Sequence, residues 1–524
     1  MKNFIRQHWV IISIVLVAAF FRLWQIGSYP AGLFPDEAAN GLDINMMFEG
    51  KLDPFYERGN GREALFFYII ALVVSFFGRG IWQHHIVSSG FGIAEVYTTY
   101  LLTSRLFGKK VAWVASFLMA VSSYAVTMNR TAFRANTIPL FTTLTLYFLV
   151  KFFQETERRV KLWAAFWAGI SFGLGFYTYI SYRMMIPLII GFAILIAFGF
   201  RDQWRTWGEY IRGKFVFLLG FILSFGWLGY YFWSHPGSFI GRAGQVSIFN
   251  AELNNGDIVG TFFNVFKLTM ISFFANGDLN WRHNVSGHAF LSPFVSPFFA
   301  LGLIVFSWAM FVMLKEVWQK RLTFNTTAKA LIAVLFWFML APEVTTAEGI
   351  PHGLRLIGVI PAIFIISAYA IVKIWEKLSS YSRLTITKIA IPLVFFSGIF
   401  VYNFYLYFGV AVASPDYYYA FRSDLTTVSE YLNQRNNKQT TFLSLDKFSV
   451  QTVDYLTTVN KQPFQLLDPA NTYQAQLKSG DQVVFTMSTL HDITKFIEAH
   501  PDTKVVNETK NEFNYIIMRV YEKR

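Results

Sequence analysis

The chain has 524 residues, of which 54% are hydrophobic, 19% are aromatic and only 15% are charged, and its mean hydropathy is +0.39. This balance is more apolar than a globular core requires, so we expect a polytopic membrane protein. The net charge of +13 comes from lysines and arginines in short segments between apolar runs. That distribution is typical of cytoplasmic loops and argues against a nucleic-acid partner. The chain has no cysteine, which excludes disulfides, thiolate metal sites and cysteine nucleophiles.

The first apolar run, 10–21, follows two basic residues, as the apolar part of a signal peptide does. A cleavage site would need small residues after this run, but Arg22, Leu23 and Trp24 follow it. We therefore predict an uncleaved first transmembrane helix with its N-terminus in the cytoplasm.

Ten further apolar runs have lengths near the 20 or so residues of a membrane-spanning helix, which predicts about eleven transmembrane helices in all. The apolar segment 64–77 is shorter, a length more typical of an interfacial or re-entrant helix. If segment 64–77 does not cross the membrane, all the basic segments between the apolar runs lie on the cytoplasmic side. If it crosses the membrane, the first two of these basic segments lie outside. The ten runs are 86–106, 111–128, 137–153, 163–181, 184–200, 215–234, 294–314, 328–341, 355–372 and 389–409.

The favoured topology predicts a mainly α transmembrane domain over 1–410 and a separate extracytoplasmic domain over 411–524. The second domain has near-balanced charge and alternating helix and strand patterns, so we expect a small α/β fold. Its predicted helices are 423–434 and 489–499, and its predicted strands are 441–445, 482–487 and 515–521. The predicted outer loops of the first domain are 25–85, 129–136, 235–293 and 342–354.

The stretch GLFPDEAANGLDI, residues 32–44, places the adjacent carboxylates of Asp36 and Glu37 at the outer edge of the bilayer. Pro35 and the residues after it are typical of the start of a short helix, with both acids in its positively polarised first turn. The spacing alone is explained if the two acids cap a short helix in a solvated loop. A functional site is the alternative that the pattern leaves open.

The order of several motifs resembles a known family. After GLFPDEAANGLDI come a hydrophilic loop ending in GREALFFYIIA, the basic segment RLFGKK and the segment SSYAVTMNRTAFRAN. This order is similar to that of the polytopic GT-C glycosyltransferases, above all the protein O-mannosyltransferases and their bacterial relatives, which include the aminoarabinose transferases of lipid A. The likeness covers residues 1–160, continues in outline to 410 and does not include the C-terminal domain.

The resemblance implies an enzyme that moves a sugar from a polyprenyl-phosphate carrier to an acceptor at the outer membrane surface. The acceptor hydroxyl then needs a base and the leaving phosphate needs cations. Asp36 matches the catalytic acid of the family and is the predicted general base, while Glu37 is the second acid of the predicted catalytic pair and shapes the site. The implied partners are the carrier-linked sugar, a lipid, glycan or protein acceptor, and membrane lipids. The implied location is the inner membrane of a bacterium.

Arginines in two outer loops are the predicted ligands of the carrier phosphate. Arg62 matches a position where relatives carry Lys or His, although anchoring of segment 64–77 to lipid head groups explains it equally well. Arg130 and Arg134 lie in NRTAFRAN, where the related oligosaccharyltransferases carry a pair of acids that helps to hold a divalent metal. This chain has the sequence ANT there, so we expect Arg134 to bind phosphate.

The loop 235–293 contains the motif GDLNWRHNVSGH, in which Asp278, Arg282, His283 and His288 lie close together. An aspartate and two histidines are possible zinc ligands, but a histidine spacing of five does not place both on one face of a helix. Substrate binding and plain loop structure are the two alternatives to a metal site in this motif.

Two further motifs lie at predicted outer helix ends. The run TTAEGIPHGLR brings Glu348, His352 and Arg355 to the start of a transmembrane helix, where an ionisable group is a functional candidate. We expect Arg355 to bind the carrier phosphate, with His352 beside it. The run YTYISYR places Tyr179 and Arg183 on the same side, where they line a sugar pocket or belong to an aromatic belt.

Three functions remain after these observations, a glycosyltransferase, a glycolipid transporter or flippase, and an oligosaccharyltransferase-like enzyme. The chain has no Walker loop or dinucleotide fingerprint, which disfavours a nucleotide-sugar donor. A transporter should bury ionisable groups near the bilayer midplane, whereas here they lie at predicted outer helix ends. The absence of the acid pair counts against the oligosaccharyltransferase. No cofactor is required by these residues, and a divalent metal is left open.

Overall fold

The computed structural model describes residues 2–199, 204–240, 246–381, 384–435, 439–457 and 464–524. Positions 241–245 of the predicted outer loop lie outside the described residues. The chain divides into two compact units. Unit 1 comprises 1–24, 53–66 and 85–411, and unit 2 comprises 25–52, 67–84 and 412–524.

Helices make up most of the described chain, and each apolar run that predicts a span contains helix. Long apolar helices satisfy their backbone hydrogen bonds internally, as a bilayer requires. The helices are α1 (Lys2–Leu23), α2 (Pro35–Phe48), α3 (Leu65–Phe77), α4 (Ile81–Phe107), α5 (Lys109–Val121), α6 (Ser123–Arg130), α7 (Ile138–Gln154), α8 (Arg158–Gly175), α9 (Met185–Gly199), α10 (Trp204–Ser234), α11 (Pro236–Ile240), α12 (Ala251–Asn254), α13 (Ile258–Ser272), α14 (Ser296–Trp318), α15 (Phe324–Val344), α16 (Ile360–Tyr381), α17 (Thr385–Phe404), α18 (Pro415–Ala420), α19 (Ser423–Gln434), α20 (Val450–Thr457) and α21 (Ile493–Ala499).

Seven helical segments among the described residues are long and apolar enough to cross a membrane, and the bent pair α5 and α6 makes eight if it is one span. The helices α1, α4 and α8 occupy the other predicted runs but do not reach the same length and hydropathy in their described residues. The predicted fold class, a mainly α polytopic membrane protein, is confirmed. The seven segments are Arg134–Gln154, Ile180–Gly199, Gly208–Ser234, Ser296–Trp318, Phe324–Val344, Ile357–Tyr381 and Ile386–Ala411.

Short apolar helices accompany these spans. The predicted interfacial segment forms α3, a helix of 13 residues, which is too short to span. A second short apolar helix, α13, lies within the predicted outer loop 235–293 and was not predicted.

A hairpin in unit 1 contains β1 (Phe55–Tyr56) and β2 (Arg62–Glu63). The C-terminal part of unit 2 contains the strands β3 (Thr441–Ser444), β4 (Phe464–Leu467), β5 (Gln482–Thr486), β6 (Thr503–Lys510) and β7 (Ile516–Lys523). These five strands form one sheet in the order β4-β3-β5-β7-β6. The strand β3 pairs in parallel with β4 and β5, whereas β7 pairs antiparallel with β5 and β6. This sheet confirms the predicted small α/β fold.

The helix α2 belongs to unit 2 and packs against α20 of the α/β fold. Gly41 permits this approach, because a Cβ atom there would lie 2.4 Å from the ring of Tyr455. Leu33 and Ala38 are buried with Tyr455, and the Thr452 hydroxyl donates a hydrogen bond to the Leu33 carbonyl at 3.0 Å. The segments 25–52 and 67–84, which the sequence pattern assigned to the domain 1–410, are therefore held with the C-terminal residues.

Candidate functional site

The two predicted catalytic acids lie in the first turn of α2, as the sequence indicated. Pro35 occupies the first helical position, where its missing N–H costs nothing. Glu37 is buried, and its carboxylate accepts a hydrogen bond from the Phe34 backbone N–H at 2.9 Å. Asp36 is exposed. Glu37 thus stabilises the start of the helix, and Asp36 presents its carboxylate at the surface of unit 2.

Two polar residues that the sequence motifs did not single out lie on the same face of α2 as Asp36. Asn40 and Asp43 are spaced four and seven residues from Asp36, which places all three on one side of the helix. Both are buried, which is unusual for these residue types. The spacing was visible in the sequence and is the signal that identifies them. Together the three side chains form a polar stripe that begins at the exposed carboxylate.

A second group of charges lies in unit 1 around Glu63, a residue that was not predicted from the sequence. Glu63 is buried at the end of the β1–β2 hairpin, directly after the buried Arg62. Its Oε2 lies 3.1 Å from Arg134 Nε and its Oε1 lies 3.7 Å from Arg183 Nη2. The Arg134 guanidinium also stacks over the Tyr179 ring at 5.2 Å. The structure therefore brings Arg134 together with Tyr179 and Arg183, which the sequence placed in a different motif.

The predicted substrate ligand Arg130 has a different environment. Its side chain is fully buried, and its Nη1 donates a hydrogen bond to the Phe21 carbonyl at 3.1 Å. Its guanidinium lies 5.4 Å from the ring centres of Tyr407 and Phe408. Through these contacts Arg130 packs against α1 and against the end of the last apolar span of unit 1.

Two loops of unit 1 that the sequence predicts to lie outside the membrane meet at Asp278. The carboxylate Oδ2 of Asp278 accepts hydrogen bonds from His283 Nδ1 at 2.8 Å and from the Gly353 backbone N–H at 2.7 Å. The rings of His283 and His352 lie 4.4 Å apart. His288, the second histidine of the sequence motif, bonds instead through Nδ1 to the Ser286 carbonyl at 3.1 Å. The two histidines beside Asp278 are therefore His283 and His352, not His283 and His288.

Burial sets the protonation of this cluster. It lowers the pKa of His352 to about 2, and it also lowers the pKa of His283, against the opposing effect of the Asp278 carboxylate. Burial, the largest single effect, would raise the pKa of Asp278, but the hydrogen bond and charge of His283 together with the backbone N–H donors of Asn280 and Gly353 outweigh it, and the pKa is lowered. At neutral pH the cluster therefore contains one carboxylate and two neutral imidazoles. One ligand atom from each residue lies within 4.8 Å of the others, a set that could hold a metal ion.

The lowered pKa values of His283 and His352 predict a loss of stability in mild acid. Both folded pKa values lie below the value of about 6.5 in the unfolded chain, so the unfolded state binds more protons below that pH. Stability should be full above pH 6.5 and fall below it by up to about 1.4 kcal/mol per pH unit for each histidine. The pH dependence of the stability is measured by thermal unfolding in detergent between pH 7.5 and 5.5. A chelator is present, because a metal ion bound to the histidines would mask their protonation. His352→Gln should show a shallower pH dependence; an equal dependence in both proteins would contradict the role of histidine protonation.

Arg355 lies beside this cluster and close to His352, whose backbone carbonyl accepts a hydrogen bond from the Arg355 backbone N–H at 3.1 Å. Its Nη1 lies 3.8 Å from the buried Glu343 carboxylate, and its Nη2 lies 3.7 Å from Glu348. Glu343 also accepts a hydrogen bond from the His352 backbone N–H at 2.8 Å. The backbone carbonyl of Arg282 accepts a hydrogen bond from the Thr131 hydroxyl at 3.1 Å, which holds Arg282 in position. These charges lie in one region of unit 1.

The residues after Arg134 do not fit the metal site of the related oligosaccharyltransferases. Ala135, Asn136 and Thr137 are buried and contain no carboxylate. The Asn136 amide nitrogen donates hydrogen bonds to Ser88 Oγ at 2.6 Å and to the Thr131 carbonyl at 2.7 Å. This amide is therefore engaged in holding the turn between α6 and α7, and we derive no metal-dependent step at this position.

Comparison with known proteins gives a family match and similar folds. Residues 64–227 match the family model described as dolichyl-phosphate-mannose-protein mannosyltransferase. No curated protein matches the chain. The crystal structure of ArnT from Cupriavidus metallidurans bound to undecaprenyl phosphate is similar, with a TM-score of 0.55, 10% identity, and 98% of each chain covered.

An archaeal oligosaccharyltransferase has a similar fold as well. The structure of AglB from Archaeoglobus fulgidus with an inhibitory peptide and a dolichol-phosphate matches with a TM-score of 0.50 and 12% identity, over 99% of this chain and 75% of that chain. At these identities the likeness concerns the fold.

Proposed function

We propose that the chain is a glycosyltransferase of the GT-C type, which moves a sugar from a polyprenyl-phosphate carrier to an acceptor hydroxyl at the outer membrane surface. The family model describes enzymes of dolichyl-phosphate-linked mannose, and the similar ArnT structure contains undecaprenyl phosphate. Both support a lipid-phosphate donor for this chain. The observation that carries the proposal is the exposed Asp36 carboxylate at the start of α2, in the motif that resembles the catalytic acid of the family.

In the proposed reaction Asp36 is the general base. Its carboxylate takes the proton of the acceptor hydroxyl while the hydroxyl oxygen bonds to the anomeric carbon of the sugar. The bond between that carbon and the carrier phosphate breaks, and the phosphate leaves with the bonding electrons. Glu37 contributes by fixing the first turn of α2, from which Asp36 projects.

The arginines of unit 1 supply the charge that the leaving phosphate needs. Arg134 and Arg183 share the single carboxylate of Glu63, so this group has more guanidinium than carboxylate charge. Guanidinium groups bind phosphate oxygens through paired N–H donors, and such charge-assisted bonds are stronger than neutral ones. We assign phosphate binding to this group, with Arg62 next to it in β2, and to Arg282 and Arg355 in the other loops.

The topology that fits this reaction has the N-terminus in the cytoplasm and the C-terminal α/β fold outside. The packing of α2 against α20 supports this topology, because it joins the α/β fold to the helix that bears Asp36. A bacterial inner membrane provides a carrier of the kind found in the ArnT structure. The role we assign to the α/β fold is therefore to hold the catalytic helix.

The test uses the purified chain in detergent with a panel of polyprenyl-phosphate sugars and an envelope extract as the source of acceptors. We expect release of polyprenyl phosphate with one donor and transfer of its sugar to an acceptor. Donor binding without release, for every sugar, would favour the glycolipid transporter. Turnover only with a carrier that bears an oligosaccharide would favour an oligosaccharyltransferase-like reaction, which the AglB fold also accommodates.

A further inference from the structure

We propose that Asp278, His283 and His352 bind one divalent metal ion, and that zinc is the ion that fits them best. The three residues come from two loops of unit 1 that are distant in sequence and meet at the Asp278 carboxylate. This site uses none of the positions 135–137, which contain no carboxylate. It goes beyond the proposed sugar transfer and does not depend on it.

The ligands are already gathered in the fold. One donor atom from each residue lies within 4.8 Å of the others. Around a tetrahedral zinc ion with bonds of about 2.0–2.2 Å, ligand atoms are about 3.3–3.5 Å apart, so small side-chain rotations would close the site. Asp278 holds both sides of the cluster, because it bonds to His283 and to the backbone of Gly353. The Tyr124 hydroxyl fixes the same loop by donating to the Gly353 carbonyl at 2.6 Å.

An unsatisfied atom points to a ligand. The Nδ1 atom of His352 is buried and has no hydrogen-bond partner among the described residues. A buried polar atom without a partner costs about 1–3 kcal/mol, and proteins rarely retain one without a reason. His288, in the same loop as His283, shows the ordinary alternative, since its Nδ1 bonds to a backbone carbonyl. A metal ion bound by His352 would satisfy this nitrogen, which has no hydrogen-bond partner in the part of the chain that the structure describes.

The chemistry of the set selects the kind of ion. Two imidazoles and one carboxylate suit zinc, whereas magnesium and calcium prefer oxygen ligands. Three protein ligands leave a fourth position for water or a substrate atom. Arg282 and Arg355 add positive charge nearby, but Arg355 is paired with Glu343 and Glu348, which reduces its repulsion of a cation.

The test measures metal binding without donor or acceptor, so its result is independent of sugar transfer. The full chain is purified in detergent, stripped with chelator, and titrated with Zn²⁺ and with Co²⁺, whose visible absorption reports coordination. We expect one ion per wild-type chain and binding weakened by more than about tenfold in His283→Ala and His352→Ala, because even outer-shell partners of metal ligands change affinity by 10–100-fold. His288→Ala is the matched control and should bind as the wild type does.

Two results would overturn the proposal. One is a wild-type chain that binds neither ion, which decides the question even if the variants do not fold. The other is equal binding by folded His352→Ala and His288→Ala. A further readout is the thermal midpoint of unfolding, which Zn²⁺ should raise in the wild type and in His288→Ala but not in His352→Ala, since a ligand stabilises the state that binds it.

Discussion

Replacement of Asp36 by Asn should lower the rate of sugar transfer by about 10²–10⁴-fold, the range that a general base contributes. The amide has nearly the shape of the carboxylate but does not accept the proton of the acceptor hydroxyl at neutral pH. Because the donor is bound by other groups, its affinity should change little. Release of polyprenyl phosphate measures the rate, and equilibrium binding of the labelled donor measures the affinity.

Glu49 offers a matched control for Asp36. It lies at the other end of α2, is exposed, and carries the same charge. Glu49→Gln should therefore transfer sugar at a rate close to that of the wild type. Asp36→Asn protein that is folded and as active as Glu49→Gln would show that Asp36 is not the base and that its position reflects capping of α2 alone.

Replacement of Glu63 by Gln should destabilise unit 1 strongly. The Glu63 carboxylate is buried and pairs with Arg134 and Arg183, whose side chains are 19% and 16% exposed. Loss of the Glu63 charge leaves the two guanidinium groups largely buried without this counter-charge. Removal of one partner of a buried ion pair lowers the free energy of unfolding by about 3–5 kcal/mol. The free energy of unfolding, or the thermal midpoint in detergent, measures the effect.

The control for Glu63 lies on the same hairpin. Glu57 is exposed, and it accepts a hydrogen bond from the Tyr231 hydroxyl at 3.0 Å, a bond that Gln also accepts. Glu57→Gln should change the stability by less than about 1 kcal/mol. An equal loss in Glu57→Gln and Glu63→Gln would contradict the role assigned to the buried ion cluster.

Local patterns in the sequence were sufficient to predict the long apolar helices. The apolar runs coincide with helices because their length and composition favour one structure in a bilayer, and the predicted helix 423–434 is α19. Strand β6, with the sequence TKVVNETK, was missed, because an edge strand exposed to solvent lacks a clear apolar alternation. Helix α13 was missed since it is short and lies in a loop that the topology placed outside the membrane.

The candidate site shows where prediction from sequence ends. The position of Asp36 and Glu37 at the start of a helix was predicted correctly, because the signals of a helix start are local in the sequence. The partnership of Asp278 with His352 was not found, because it joins two loops, and the local spacing suggested His288 in place of His352. Glu63 was missed for the same reason, since its importance comes from Arg134 and Arg183 and not from its neighbours in sequence.

The most direct test of the proposed reaction is a single-turnover experiment with a polyprenyl-phosphate donor labelled in its sugar. We expect the wild-type chain to transfer the label to an acceptor and to release polyprenyl phosphate in equal amount. We expect Asp36→Asn to bind the donor but to transfer almost no label. The proposed reaction would be contradicted if the wild-type chain bound the donor but never cleaved it, whichever sugar the donor carried.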